Sequence, residues 1–160
     1  MIWTVAAALV SMEAVSYLAH RFVMHGPGMG LHRSHHVRTG SRFEANDLFP
    51  VTFAAVTILA MTAGTTLPSL HALFTVGVGV TLYGAAYAFV HDLYIHRRLG
   101  SWLPELAPLE RLKVAHEIHH RFGGEPYGML FPVVPRRLRE RAATVSLRHV
   151  GTEARFEKTS

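Results

Sequence analysis

Three stretches of the chain are almost wholly apolar, and the segments between and after them hold nearly all of its charge. The first runs from Ile2 to Ala19 and is broken only by Glu13; the second covers Leu48–Thr66 and the third Leu70–Val90. A helix rises 1.5 Å per residue, so a 19-residue run covers roughly 28 Å, enough for the hydrocarbon core of a bilayer. Leu67-Pro68-Ser69 separates the second run from the third, and proline does not continue a helix interior, so these two runs predict a tight helical hairpin. Residues 128–134 (GMLFPVV) are apolar but too short to cross; they are expected at the membrane interface or packed under the bundle. The predicted fold is therefore all-α: an integral membrane bundle of three, at most four, spanning helices. The expected organisation is a membrane domain over 1–135 and a basic tail over 136–160.

Composition agrees with one lipid-embedded domain. The 160 residues are 49% hydrophobic and only 17% charged, with a mean hydropathy of +0.20, which excludes an intrinsically disordered chain. A net charge of +5 would suit a nucleic-acid partner, but its distribution does not. Four of the 16 Lys and Arg lie between Arg21 and Arg42, twelve lie between Arg97 and Lys158, and none falls in 1–20 or 43–96. Under the positive-inside rule both basic regions face the cytoplasm, the 67–69 turn faces outward, and the N-terminus is outside. The first run lacks a basic leader and a cleavage site, so it is expected to be a retained span. Glu13 within it has two readings: a buried partner for a site, or a residue that simply faces the bundle interior.

The chemistry is concentrated in histidine. There are 12 histidines and no cysteine, which excludes disulfides, thiolate clusters and a cysteine nucleophile, and leaves imidazole as the main metal donor. Ten histidines fall in four motifs: His20-Arg-Phe-Val-Met-His25, His32-Arg-Ser-His35-His36, His91-Asp-Leu-Tyr-Ile-His96 and His116-Glu-Ile-His119-His120. The order HxxxxH then HxxHH occurs twice, with a spacer that grows from 6 residues to 19. In HxxHH the positions i, i+3 and i+4 share a helical face, so each triplet is expected to present its nitrogens to one metal region. In HxxxxH the five-residue step leaves the side chains about 140° apart on an ideal helix. That pair needs either a local distortion of the helix or two different metals.

Both HxxxxH motifs follow spans that end on the cytoplasmic side by the charge rule, so all ten histidines are expected on one membrane face. Ten imidazoles exceed what one ion takes; two metals at about five each would leave positions open for oxygen or water. Imidazole alone does not choose among iron, copper, zinc and nickel. The few nearby carboxylates, Glu44, Asp47, Asp92 and Glu117, are best placed behind the ligands, orienting imidazoles through the other ring nitrogen; for Asp92 and Glu117 a solvated helix-end charge is an equal reading. His71 and His149 belong to no motif and are expected to be solvated.

These motifs at the ends of spanning helices resemble the membrane fatty-acid hydroxylase and desaturase superfamily, and within it the β-carotene 3-hydroxylases of bacteria. The words that carry the likeness are His20-Arg-Phe-Val-Met-His25-Gly26, His32-Arg-Ser-His35-His36, Glu44-Ala-Asn46-Asp47-Leu48, Tyr87-Ala-Phe-Val-His91-Asp92 and Tyr127-Gly-Met-Leu-Phe-Pro132. The wording departs from the family at Leu93–Arg98, in the proline-containing linker Leu99–Glu110, and in the tail from Arg136. The resemblance implies a non-haem di-iron monooxygenase that hydroxylates C3 of a β-ionone ring with O2 and two electrons from a ferredoxin-type donor. It implies no catalytic residue beyond the two-iron centre, which the ten motif histidines would hold. A lipid-dissolved carotenoid would enter by a groove between helices; Tyr83, Tyr87, Phe89 and Tyr94 are candidates for its lining, with ordinary helix packing as the other reading. Arg136, Arg137, Arg139 and Arg141 are candidates to hold anionic lipid or an acidic donor, or to act as a plain positive-inside anchor. Hydroxylation or desaturation of another lipid, such as a fatty acyl chain or sterol, is the alternative the histidines alone leave open. A non-enzymatic metal protein or transporter fits less well, because transporters place ligands near the bilayer midplane.

Overall fold

The computed structural model describes residues 1–37, 43–100 and 102–145, and among these residues it is helical with no strand. Helix α1 (Ile2–Leu18) runs straight into a π-helical turn, Ala19–Met24. A short α2 (Met29–His36) follows; then a 3₁₀ turn, Ala45–Asp47, leads into α3 (Leu48–Thr66). After the Pro68–Leu70 turn comes α4 (Ala72–Ala88), which ends in a second π-helical turn, Phe89–Ile95. Helix α5 (Ala107–Phe122) carries the last histidine motif and closes on Gly123, whose φ of 67° is the left-handed cap that glycine takes without strain. A further helix covers residues 136–145.

Three helices are long and apolar enough to cross a membrane: Ile2–Met24, Ala45–Thr66 and Ala72–Ile95. The three spans expected from the pattern are therefore present, with α3 and α4 as the predicted hairpin. Their surfaces fit lipid, since Val10 (66%), Ile58 (63%) and Leu59 (70%) turn outward with nothing to cover them. Without water to drive burial, the spans meet through small residues. A Cβ on Gly79 would lie 2.5 Å from the Val5 carbonyl, so α1 and α4 approach to backbone contact there; Gly64 does the same for α3 against Phe74.

The interior is inverted relative to a soluble domain. Among the described residues the buried apolar side chains are Tyr83, Val90, Tyr94, Ala115, Ile118 and Met129, whereas the buried polar set is His20, His32, His35, Asn46, His91, His116 and His119. A core this polar collects at one end of the bundle, where α1 and α4 finish, α3 begins, and α2 and α5 pack across. Of the 128–134 stretch, Met129 is buried against the bundle, whereas Phe131 and Val133 are exposed. Both Glu13 oxygens accept hydrogen bonds from this stretch: Oε1 from the N–H of Met129 (2.9 Å) and Phe131 (3.0 Å), Oε2 from that of Leu130 (3.2 Å). The Tyr83 hydroxyl donates to Oε2 as well, at 2.7 Å. Glu13 thus fastens the C-terminal segment to α1 and α4, a structural tie that neither of its two readings named.

Candidate metal centre

The π-helical turns resolve the HxxxxH problem. The His25 N–H bonds to the His20 carbonyl at 3.0 Å and the His96 N–H to that of His91 at 2.9 Å, both i→i+5 bonds. A π turn stacks residues five apart above one another, where an α-helix would splay them. Each pair therefore serves one cluster, and the helix bears the distortion.

The histidines form two groups whose donor nitrogens lie within 4.8 Å of one another: His20, His25, His32, His36 and His119 in one, His35, His91, His96 and His116 in the other. The tenth, His120, stands beside the second group, with Nε2 3.2 Å from His35 Nε2. Nine of the ten motif histidines thus fall in two adjacent clusters, with the tenth at the edge of the second. The expectation that each HxxHH triplet faces one metal region is corrected, however. His35 leaves His32 and His36 for the second cluster, and His119 leaves His116 and His120 for the first. Helical geometry supplies the reason: i+4 falls about 40° past i, but i+3 falls about 60° short of it, so neighbours i+3 and i+4 diverge by about 100°.

Outer partners fix how these rings are protonated. Nδ1–H of His20 donates to the Tyr127 carbonyl (2.9 Å), that of His119 to the Gly124 carbonyl (2.6 Å), and that of His32 to Asn46 Oδ1 (2.7 Å). In the second cluster His35 donates to Glu44 (3.0 Å) and His91 to Asp92 (3.0 Å). Every one of these partners is an acceptor, so the proton sits on Nδ1 and Nε2 is bare. Yet His20 Nε2 lies 3.2 Å from His32 Nε2, and His91 Nε2 lies 3.0 Å from His35 Nε2. Two lone pairs held face to face at that distance repel unless a cation lies between them. Two converging sets of bare imidazole nitrogens fit a metal cation.

Protonation of these rings is disfavoured. Burial lowers the pKa of His32 to about 4, of His119 to about 3 and of His120 to about 2, and it pushes His25, His35, His36 and His116 down as well; except at His36, neighbouring imidazoles add to the shift. These rings are neutral at physiological pH, the form in which imidazole binds a metal.

Among the nearby acids, Glu44 and Asp92 orient His35 and His91. Asp47 instead accepts from the Glu44 N–H (3.0 Å) and pairs with Arg98 Nη1 (2.8 Å), while Glu117 is exposed and takes its solvated reading. Arg98 also reaches Glu44 (2.8 Å) and Asp92 (3.5 Å), gathering all three carboxylates. Asn46, Arg98 and the carbonyls of Tyr127 and Gly124 went unassigned in the sequence. A carbonyl leaves no trace in residue identity, but Asn46 sits within the Glu44–Leu48 word. His71 is exposed as expected, and His149 lies outside the described residues.

A cavity of about 490 Å³ opens between α1, α3 and α4 and ends at His91 and Asp92. Its walls are mostly apolar, with Met12, Phe49, Phe53, Ile58, Tyr83 and Tyr87 among them. The Tyr87 ring lies 5.0 Å from that of His91. Two of the four aromatic candidates therefore line a groove. Phe89 instead faces outward, and the Tyr94 hydroxyl is tied to Glu110 at 2.6 Å.

The pattern of this site has known counterparts. The model of the fatty acid hydroxylase family matches residues 5–138. The chain belongs to that family. This hydroxylase is 37% identical over 150 residues to the β-carotene hydroxylase of Pantoea ananas, covering 91% of this chain and 83% of that one. It is 38% identical to the β-carotene hydroxylase of Pseudescherichia vulneris over 84% of this chain and 78% of that one. It is also 41% identical to the chloroplastic β-carotene 3-hydroxylase of Haematococcus lacustris, over 78% of this chain and 41% of that longer one. No solved structure matches the chain.

Proposed function

We propose that this hydroxylase adds a hydroxyl group to C3 of a carotenoid β-ring, converting β-carotene through β-cryptoxanthin to zeaxanthin. The observation that carries the proposal is the pairing of bare imidazole nitrogens at 3.0–3.2 Å with an apolar groove that ends against them at His91. The names of the relatives supply the substrate class. The ten motif histidines would hold two iron ions, and the two irons would supply oxidation of an unactivated ring C–H by O2 with two electrons from a ferredoxin-type donor. One oxygen atom enters the C–H bond; the other leaves as water, with two protons taken up.

The chain's own residues do the rest. The groove excludes water and confines one end of a long hydrocarbon to a single approach, which places the ring against His91. Tyr87 and Tyr83 give that wall flat faces for the conjugated chain. In this reading the histidines face the cytoplasm with the N-terminus outside, in the inner membrane. The basic tail from residue 136 then lies on the side where a soluble electron donor arrives.

The test is expression in cells that accumulate β-carotene, followed by pigment chromatography. Products with one and then two added hydroxyls are expected. Unchanged β-carotene beside altered lipids would transfer the activity to a fatty acyl or sterol substrate. Fewer than two ions per chain in iron-replete purified protein would refute the two-iron centre.

A further inference from the structure

The two clusters contain about equal numbers of imidazoles, but they are held differently. In the first, each outer partner that receives an Nδ1–H is neutral: the carbonyls of Tyr127 and Gly124 and the amide oxygen of Asn46. In the second, His35 and His91 donate to carboxylates, Glu44 and Asp92. Asp47 stands with them, and a single guanidinium, Arg98, is shared among the three acids at 2.8, 2.8 and 3.5 Å. Three carboxylates against one cation leave that end of the site negatively charged. Around the first cluster, Arg21 and Glu125 pair with each other at 3.2 Å and cancel.

We propose that the two metal sites are unequal by construction: the site of His35, His91, His96 and His116 binds its cation first and more tightly, and Glu44 and Asp92 are the positioning residues that make it so. This deepens the two-metal reading above and rests on it. A carboxylate that accepts the imidazole N–H holds the ring in place and raises the basicity of the opposite nitrogen, which strengthens its bond to a cation. A carbonyl fixes the ring equally well but supplies no charge. The sequence repeat would have given two alike sites; the outer partners break that likeness.

The experiment is a titration of the full-length, metal-free protein in detergent with Co2+, whose visible absorption reports each site as it fills. Wild type is expected to take two ions per chain in two resolved steps. Glu44→Gln keeps the shape and a hydrogen-bond acceptor but removes the charge; it should weaken the tight step by about 10–100-fold and leave the other in place. Asn46→Asp places a carboxylate behind His32 and should tighten the weaker step, narrowing the gap. The helical circular dichroism of each variant shows whether it has folded, and Asn46→Asp carries the test alone if Glu44→Gln does not. Two ions bound in one indistinguishable step, or both steps weakened alike by Glu44→Gln, would overturn the inequality while leaving a two-metal centre standing. Fewer than two ions in wild type would overturn both.

Discussion

Glu13 is the side chain whose removal the structure prices most directly. Its two oxygens accept from three consecutive backbone N–H groups, those of Met129, Leu130 and Phe131, and from the Tyr83 hydroxyl. In Glu13→Ala all four donors lose their acceptor at once. A net hydrogen bond is worth about 1 kcal/mol, and a buried donor left unsatisfied costs about 1–3 kcal/mol, so four donors put the loss near 4 kcal/mol. Phe131 is 73% exposed and recovers part of that from solvent or lipid headgroups, which brings the expectation to about 3 kcal/mol. Glu13→Gln retains one oxygen. It keeps either the Met129 and Phe131 pair or the Leu130 and Tyr83 pair, so it should lose about half as much. The effect should also reach the metal, because Tyr127, two residues before Met129, holds His20 through its carbonyl at 2.9 Å. The assay is reversible unfolding in mixed micelles, with metal content measured on the same samples. If Glu13→Ala unfolds within about 0.5 kcal/mol of wild type, the clamp is not a source of stability and the reasoning fails.

Three further outcomes follow from the same geometry. His35→Ala and His119→Ala, which each remove the ligand that crosses between clusters, should abolish hydroxylation and cost bound metal, whereas His71→Ala should do neither; equal loss in all three would break the ligand assignment. A Cβ on Gly84 meets nothing within 4 Å and this glycine lines the groove, so Gly84→Phe should fill the groove and cut turnover at least about 10-fold with metal content and folding retained; full activity would place substrate elsewhere. For pH, His32 titrates at about 4 and His119 at about 3 in the folded chain, against about 6.5 when unfolded. Between those values the unfolded chain binds protons that the folded chain refuses, so stability rises with pH from about 4 to 6.5 and levels off above. Each such histidine contributes a slope of up to about 1.4 kcal/mol per pH unit, and metal affinity falls in the same direction on acidification. Unfolding midpoints that stay flat between about pH 7.5 and 5 would contradict neutral, buried imidazoles.

The spans, their hairpin and the gathering of the motif histidines were legible because each rests on a local signal: apolar run length, a proline between two runs, and histidine at helical spacing. What was not legible has a common cause. The π turns at Ala19–Met24 and Phe89–Ile95 are backbone choices that no residue type demands. Carbonyl acceptors such as those of Tyr127 and Gly124 leave no mark in the sequence at all. Tyr94 shows the limit from the other side. An aromatic at a span end fits a groove wall and a packed, hydrogen-bonded core position equally well, and only the position of Glu110 decides between them.

The exchange of His35 and His119 explains why unequal spacers are tolerated. If each half of the repeat built its own cluster, the gap between clusters would depend on how the spacers of 6 and 19 residues, each part connection and part helix, placed one half against the other. Instead, each of α2 and α5 serves both clusters from adjacent residues. The ring centres of His35 and His36 are 6.1 Å apart and those of His119 and His120 are 5.8 Å apart, distances set by a single peptide step on a rigid helix. Two such steps, one on each side, span the gap between the clusters. The spacers are then free to vary in length and proline content, because the separation of the two histidine clusters is held by neighbouring residues and not by the chain between motifs.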